Sequence, residues 1–362
     1  MAKQRSVSLR IATLLGGLAA CIACTAHAHH SVSAWFDTTS ITEVEGVVTD
    51  FRWQNPHVVF TMSVPGERGE ALWEIETLSI SGISRWGITR ELVNVGDRLR
   101  VAGNPARRGV NNIFVRNILL PTGREIVLGG AARWSADTLR GSELLQASEG
   151  DASRPELGLF RTWSTGGVNG VLFPEAVQAN FDFGRYPLTA AAQAALAAFD
   201  FATDDPTANC APKGMPTIME QPYPMEIVER GTTIELLIEE YDTRRIVHLD
   251  DAGAAAASAS PLGYSVGRFE GTALVVTTTK SSWRHFDSVG IPLSADAVLE
   301  ERFTPSADGA RLDYVLKVTD VATFTAPVEL KKTWIWRPEV TRGAYECRRA
   351  DGSGTDAAAA RN

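Results

Sequence analysis

Two blocks of alternating apolar and polar positions occur along the chain, one before residue 128 and one after residue 205. Alternation with a period of two is typical of strands that bury one face. Between the third and fourth strands of the first block, Ile83, Trp86, Ile88 and Leu92 have the spacing of a short amphipathic helix over 81–92. Three strands, a helix and two strands predict an OB-like five-stranded barrel over 29–127. Its predicted strands are 44–53, 57–64, 71–78, 98–103 and 112–119.

The second block predicts an antiparallel meander, closed as a calycin-like barrel or left as a curved sheet, over 206–349. Its clearest strand alternates Leu312, Tyr314 and Leu316 with polar residues. Between the blocks, 128–205 is expected to be an irregular connection with a short helix that Thr189 caps. The last residues, 350–362, have almost no apolar bulk and are expected to be disordered. The eight predicted strands are 225–229, 233–241, 245–249, 264–269, 273–279, 297–303, 311–318 and 328–336. The fold class is therefore mainly β.

The first 28 residues have the three parts of an export signal. Lys3, Arg5 and Arg10 precede an apolar run over 11–24, and Ala26-His27-Ala28 provides small residues at a cleavage site. The run is too short to cross a bilayer, and no other apolar stretch of about 18 residues follows. We therefore expect a periplasmic or secreted protein without a transmembrane segment.

A second interpretation of this segment stays open. Leu18-Ala19-Ala20-Cys21 matches the small-residue box before a lipidated cysteine, which would make the protein an outer-membrane lipoprotein anchored at Cys21. The choice affects the chemistry of the terminus, because only cleavage after Ala28 makes His29 the first residue.

Composition narrows the functional classes. The 362 residues are 44% hydrophobic and 22% charged, with a formal net charge of -8. Loss of residues 1–28 removes three cations and no acids, so the mature chain is more acidic still. An acidic surface disfavours nucleic acid and anionic membranes as partners.

Two cysteines remain after cleavage, Cys210 and Cys347. An even pair in an oxidising compartment predicts one disulfide, and two unpaired buried thiols are the alternative. No Cys-x-x-Cys motif survives cleavage, so the mature chain lacks the ligands of a zinc ribbon or a thiol-redox centre.

Several short motifs carry a resemblance. His29-His30-Ser31, the Trp53-Gln54-Asn55-Pro56-His57 turn, Gly87-Ile88-Thr89-Arg90 and the Leu120-Pro121-Thr122-Gly123 ending resemble a bacterial family of exported proteins of unknown function, over about 29–125. The remainder, with Cys210, Gly267-Arg268-Phe269-Glu270-Gly271 and Tyr345-Glu346-Cys347, resembles a second group of uncharacterised exported β proteins. Neither resemblance implies an activity.

Histidine suggests a metal site. An N-terminal His29 would offer its α-amino group and an imidazole nitrogen, a set that suits copper when a second imidazole joins it. His57 is the natural second ligand, His30 is an alternative at the terminus, and Asp37 could supply an oxygen. The simpler alternative is a hydrated terminus and a hydrogen-bonded histidine at a strand end.

Catalytic motifs are incomplete. Trp283, Arg284, His285 and Asp287 place an imidazole and a carboxylate in one loop, which could serve acid-base chemistry or form an exposed hairpin. Ser281-Ser282 lacks the Gly-x-Ser-x-Gly elbow, and no phosphate loop or His-Glu-x-x-His occurs. The sequence therefore favours a protein that is not an enzyme.

Aromatic residues of the second block suggest a ligand pocket. Trp334, Trp336, Tyr314 and Phe303 could line a barrel interior that accepts an apolar ligand, or simply fill it. Glu301 shares their inward parity, and a buried carboxylate needs a partner. We expect an extracytoplasmic binding protein for a small apolar ligand or a protein partner; the alternative is a copper-binding or copper-dependent redox protein.

Overall fold

The computed structural model describes residues 32–67, 69–84, 88–107, 109–140, 150–165, 186–204, 207, 210–220, 223–345 and 347. Within them the protein is mainly β. The α-helices are α1 (Val32–Trp35), α2 (Ile80–Ser84), α3 (Ala190–Ala198) and α4 (Phe201–Asp204). Short 3-10 turns cover Arg90–Leu92, Pro155–Leu157, Thr217–Glu220 and Glu240–Asp242.

The first barrel has the predicted five strands. They are β1 (Thr42–Arg52), β2 (Val59–Gly66), β3 (Gly69–Glu76), β4 (Arg98–Pro105) and β5 (Asn112–Leu119). Their order is β3-β2-β1-β4-β5, and a parallel pairing of Glu74–Glu76 with Asn112–Phe114 closes the barrel. The predicted helix over 81–92 is shorter in the structure, as α2 and a 3-10 turn, and Trp86 lies outside the described residues. The five-stranded barrel is confirmed.

A bulge at Gly103 bends the first sheet where it closes. The register between β4 and β5 shifts between Ala102 and Gly103. A side chain at Gly103 would place its Cβ only 2.2 Å from the carbonyl oxygen of Phe114, so only glycine allows the strands to approach this closely. Two short strands, β6 (Glu125–Val127) and β7 (Thr138–Arg140), extend the sheet beyond β5.

The second barrel is closed and has nine strands. All eight predicted strands are present, as β9 (Met225–Arg230), β10 (Thr233–Ile238), β11 (Thr243–His248), β12 (Tyr264–Glu270), β13 (Ala273–Thr279), β14 (Val298–Pro305), β15 (Arg311–Thr319) and β16 (Val328–Trp336). One adjacent pair departs from the antiparallel meander: β11 and β12 run parallel through Val247 and His248. The intervening residues 249–263 form turns that carry the chain back before β12 begins.

The ninth strand comes from a region that the sequence predicted to be irregular. This strand, β8 (Thr162–Thr165), lies between β16 and β9 and closes the barrel. With β7 it places two strands inside the predicted connection over 128–205. Four residues are too few to show a period-two pattern, which is why the sequence gives no sign of β8. The predicted helix over 190–199 is present as α3, and the Thr189 side chain accepts a hydrogen bond from the backbone N–H of Ala192.

A buried 3-10 turn enters the second barrel from one end. We call residues 215–220 the plug. Its Thr217, Ile218 and Met219 are buried, and the Met219 sulfur lies 3.7 Å from Nη1 of Arg245 in the barrel interior. Glu220, at the end of the plug, is half-buried, and its Oε1 atom is fully buried.

After β16 the chain returns to the first barrel. We call residues 337–345, with Cys347, the strap. The backbone N–H of Gly343 donates to Oε2 of Glu239, and Nδ2 of Asn55 in the first barrel donates to the carbonyl of Tyr345. Cys347 is bonded to Cys210, as the sequence predicts. The strap thus joins the two barrels. Among the described helices none has the length and apolar character needed to cross a bilayer.

Candidate functional site

Ionisable side chains are buried or half-buried where the two barrels meet. Such groups cost free energy unless they are paired, and they occur preferentially at functional sites. The first barrel contributes His57 and Glu76, and the second contributes Lys213, Glu220, Glu239, Glu240, Asp287 and Lys332. We call this set the junction cluster. The fold is therefore that of a two-barrel β protein with a cluster of charged side chains between the barrels.

His57 forms the part of the junction cluster that belongs to the first barrel. Its Nδ1 lies 2.8 Å from the carbonyl oxygen of Thr77 and 2.8 Å from Oε1 of Glu76. Burial lowers the pKa of His57, but the charge of Glu76 and the hydrogen bonds to Glu76 and Thr77 raise it above its usual value overall. A ring nitrogen held by a carboxylate fixes the tautomer and leaves Nε2 as the ring's other coordinating atom.

Lys213 connects the two barrels electrostatically. Its Nζ donates to Oε1 of Glu240 at 2.9 Å, and both side chains are buried. The same ammonium acts on His57, whose pKa it lowers, and on Glu220. Lys213 therefore affects ionisable groups of both barrels within the junction cluster.

Three tyrosines pack between the strap and the rest of the cluster. The ring centre of Tyr345 lies 5.3 Å from that of Tyr223 and 4.8 Å from that of Tyr241. Burial and the charge of Glu240 together raise the pKa of Tyr223 above the usual range for tyrosine. These rings cover the disulfide, whose cysteines pack with Tyr223 and Tyr345 in the same small core.

Lys332 lies on β16 inside the second barrel, facing the plug. Its Nζ donates to the carbonyl of Met219 at 3.0 Å and lies 4.5 Å from the ring centre of Trp334. Burial lowers the pKa of this ammonium to about 7, although Glu220 and Glu240 act in the opposite direction. A cavity of about 20 Å³ lies beside it, lined by Glu220, Tyr314, Leu316 and Leu330 among others. That is room for about one water molecule.

The structure places the predicted pocket residues in the barrel core. Trp334 and Phe303 are fully buried, and Tyr314 lies between them with ring centres 5.3 and 4.8 Å away. Of these residues, only Tyr314 lines the cavity. Trp336 is also buried, beneath the guanidinium of Arg161 at 4.3 Å. Glu301 points inward as expected and has its partner, Arg245.

Of the four residues predicted to bind metal, the structure describes only His57 and Asp37. His29 and His30 lie outside the described residues. The carboxylate of Asp37 accepts hydrogen bonds from Thr39 and Ser40, which lower its pKa to about 2. Within the described parts of the chain, no group of three or more His, Cys, Asp or Glu side chains is arranged to hold a metal ion.

The N-terminal segment nevertheless passes close to His57. The rings of Phe36 and His57 both pack against Phe114, with centres 5.5 and 6.3 Å from it. Phe36 directly follows α1 (Val32–Trp35), so the described chain comes close to His57 within a few residues of the terminal histidines.

The loop that suggested acid-base chemistry does not bring its imidazole and carboxylate into a pair. The His285 ring packs against Trp283 and Phe199, and burial lowers its pKa. Asp287 instead turns away to accept the backbone N–H groups of Val289 and Ile291.

A free strand edge lies on the first barrel. β3 pairs with β5 only through Glu74–Glu76, so among the described residues Gly69–Trp73 has no strand partner on that side. Leu72, on this edge, is 64% exposed, and the neighbouring loop exposes 51% of Val110. The two segments are adjacent, because Nδ2 of Asn111 donates to the carbonyl of Leu72 at 3.3 Å. Exposed edges of this kind accept extended segments of other chains.

Comparisons with known proteins support an uncharacterised family for part of the chain. Residues 18–114 match a family of unknown function (DUF6152). The match ends within β5 and reaches no strand of the second barrel. No curated protein matches the chain in sequence.

Two crystal structures of the mitochondrial single-stranded DNA-binding protein Rim1 from S. cerevisiae show a limited similarity. One is 16% identical and the other 14%, each over 23% of this chain, covering 93% and 92% of their own chains. Both have a TM-score of 0.19, so neither bears on what this chain binds.

Proposed function

We propose that the protein is a non-catalytic extracytoplasmic binding protein that recognises an extended segment of a protein partner at the edge of β3. The observation that carries this proposal is the edge over Gly69–Trp73, which has no strand partner on one side among the described residues, beside the exposed side chains of Leu72 and Val110. An added strand would pair with the backbone of this edge in place of the Asn111 amide that now donates to the carbonyl of Leu72, and its alternate side chains would cover Leu72 and Val110.

The second barrel favours a protein partner over a small apolar ligand. Its interior is filled by Trp334, Phe303 and Tyr314 and by the ion pair of Arg245 and Glu301. The cavity beside Lys332 holds about one water molecule, whereas pockets for small molecules typically start near roughly 300 Å³. A ligand inside this barrel would have to displace the plug.

The first barrel supports the proposal through the division of its surface. The outward side of β3 runs from exposed Leu72 through the ion pair of Glu74 with Arg52, 2.6 Å apart, to buried Glu76, which contacts His57. One end of this face is thus buried within the junction cluster, and the other end is left accessible.

The test is a selection of random displayed peptides on the purified wild-type protein, followed by affinity measurements of the enriched peptides. We expect Leu72→Glu and Val110→Glu to weaken binding at least tenfold. Val95→Glu is the matched control, because Val95 is similarly exposed at 61% but lies in the turn before β4. We also expect N-methylation of alternate peptide amides to abolish binding, since it removes the strand hydrogen bonds.

Two results would contradict this function. One is that no peptide is enriched on the wild-type protein. The other is that enriched peptides bind the Leu72→Glu protein as tightly as the Val95→Glu protein.

A copper-binding function is the second candidate, favoured by the geometry of His57. Its Nδ1 is held by Glu76 and Thr77, as in metal-ligating histidines, and the N-terminal segment passes near it on Phe114. Lys213 opposes a cation at this place, and its pairing with Glu240 reduces that effect.

The copper proposal is tested on the mature protein isolated from its native host. N-terminal sequencing should find His29 as the first residue, and Cu(II) titration should show much weaker binding by His57→Ala. His248→Ala is the control, because His248 stacks on Tyr264 in the second barrel. A chain that starts at Cys21, or equal copper affinity of wild type and His57→Ala, would rule out this site.

A further inference from the structure

Buried oxygen atoms of three side chains lie beside the plug, away from the edge of β3. Ser288, which follows Asp287 in the chain, donates to Oε2 of Glu220 at 2.9 Å, and the charge of Asp287 raises the pKa of Glu220. Tyr186 packs edge-on against Phe286, with ring centres 5.1 Å apart. The charges of Glu220 and Asp287 both raise the pKa of Tyr186, so the three side chains lie near one another although they belong to three separate segments of the chain.

Each of the three has one oxygen that the surrounding protein does not satisfy. Oε2 of Glu220 accepts from Ser288, and Oδ1 of Asp287 accepts from the N–H groups of Val289 and Ile291. Oε1 of Glu220, Oδ2 of Asp287 and the hydroxyl of Tyr186 are buried with no hydrogen-bond partner among the described residues. Asp287 and Tyr186 are themselves at least nine-tenths buried.

A bound water or ion is a common reason for buried oxygens of this kind. Two carboxylates exert a mutual repulsion here, and burial raises the pKa of Glu220 to about 8 and that of Asp287 to about 7. A proton on either acid reduces the repulsion, but it leaves the remaining lone pairs unused. A cation would use those lone pairs and compensate the charge at once.

We propose that Glu220, Asp287 and Tyr186 form a binding site for a hard divalent cation, with Ca²⁺ as the best match. Calcium takes six to eight oxygen ligands in flexible geometry, and it accepts carboxylates together with neutral oxygens and water. Magnesium requires a stricter octahedron, for which three protein oxygens from three separate segments are less suited.

The surroundings set the strength of the site. Lys213 and Lys332 both act on Glu220, and their positive charges oppose a cation. Glu240 partly compensates them through its contact with Lys213 at 2.9 Å. With two carboxylates and two nearby ammonium groups, the affinity should be in the range of extracellular calcium modules, about 0.1–1 mM.

The experiment is calorimetric titration of chelator-treated wild-type protein with Ca²⁺ and separately with Mg²⁺, together with thermal unfolding at each ion concentration. We expect Ca²⁺ to bind with one site per chain and to raise Tm by about 3 °C or more at 10 mM. Mg²⁺ should bind at least tenfold more weakly.

Two variants locate the site. Glu220→Gln and Asp287→Asn should both lose at least tenfold in calcium affinity and lose the shift in Tm. Glutamine has nearly the same shape as the glutamate side chain, so the variant should retain the near-ultraviolet circular dichroism of the wild type. Glu300→Gln is the control, because Glu300 is an exposed carboxylate paired with Lys317.

The proposal is overturned if wild-type protein shows neither binding heat nor a shift in Tm, which would leave a buried water as the occupant. It is equally overturned if Glu220→Gln binds calcium as tightly as Glu300→Gln does.

Discussion

Arg245 on β11 and Glu301 on β14 form an ion pair across the interior of the second barrel. Nη1 of Arg245 lies 2.8 Å from Oε1 of Glu301, and the second arm of the pair joins Nη2 to Oε2. Tyr314 donates to Oε1 of Glu301 at 2.8 Å, and the guanidinium also donates to Thr278 and Ser265. The two strands are not neighbours in the sheet, so the pair spans the barrel and fixes which residues fill it.

Removal of one partner should be costly because it leaves the other charge buried. We expect Glu301→Gln to lower the free energy of unfolding by about 3–5 kcal/mol. Glu300→Gln, one position away on the exposed face, should change it by less than about 1 kcal/mol. Urea unfolding followed by tryptophan fluorescence measures both. Equal stability of the two variants would show that the pair contributes nothing.

The acids beside the plug make stability depend on pH. Glu220 has a pKa of about 8 in the folded protein, above its value in the unfolded chain, so the folded state holds the extra proton. The free energy of unfolding should therefore fall as pH rises from about 5 to about 8 and level off above that. Glu220→Gln should reduce this slope.

The difference in the free energy of unfolding between wild type and Glu220→Gln gives the contribution of Glu220 alone to the pH dependence. Asp287 adds a slope of the same sign up to about pH 7, and Lys332, whose pKa is lowered to about 7, adds the opposite slope above it. Denaturant unfolding at pH 5, 6.5, 8 and 9 gives the difference. Parallel curves for wild type and Glu220→Gln would contradict the expectation.

Asn55 is the hydrogen-bonded link between the first barrel and the strap. Its Nδ2 donates to the carbonyl of Tyr345, and its Oδ1 accepts the backbone N–H of Ile80 at 3.0 Å. Asn55→Ala leaves both backbone groups without these partners and should cost about 1–3 kcal/mol. Hydrogen exchange should become faster at Ile80 and in the strap. Asn111→Ala, at an exposed position, is the control and should leave the strap protected.

The disulfide holds the strap to the segment that carries Lys213. Replacement of Cys210 and Cys347 by serine should lower the free energy of unfolding by about 2–5 kcal/mol. Limited proteolysis should then cleave within 337–347 before it cleaves any strand of the second barrel. Peptide mapping of the unreduced wild-type protein tests the bond itself, and recovery of both cysteines as free thiols would contradict it.

The eight strands from β9 to β16 were predictable because each has at least six residues, enough for alternate apolar positions to be visible. The inward position of Glu301 beside Leu299 and Phe303 follows from the same pattern. The four residues of β8 carry no such pattern, and their place is set by the open edges of β9 and β16, far along the chain.

The junction cluster was less accessible to sequence reasoning. Lys332 and Arg245 have inward parity with Trp334 and Val247, so the rule that identified Glu301 could have identified them too. No such rule applies to Glu220 and Asp287, which lie in turns and meet only because the plug enters the barrel. The contact of His57 with Glu76 likewise depends on the pairing of two separate strands.

The origin of β8 determines how the gene for this protein can be divided. A fragment that begins at residue 206 would contain the eight long strands but would leave β9 and β16 as unpaired edges, which are prone to aggregation. A fragment that ends before the strap would lose the carbonyl that Asn55 contacts. A recombination event that transfers the second barrel to another protein would therefore have to cut the chain before β8 and retain it through Cys347. Only then does the transferred segment include both the strand that closes the barrel and the disulfide.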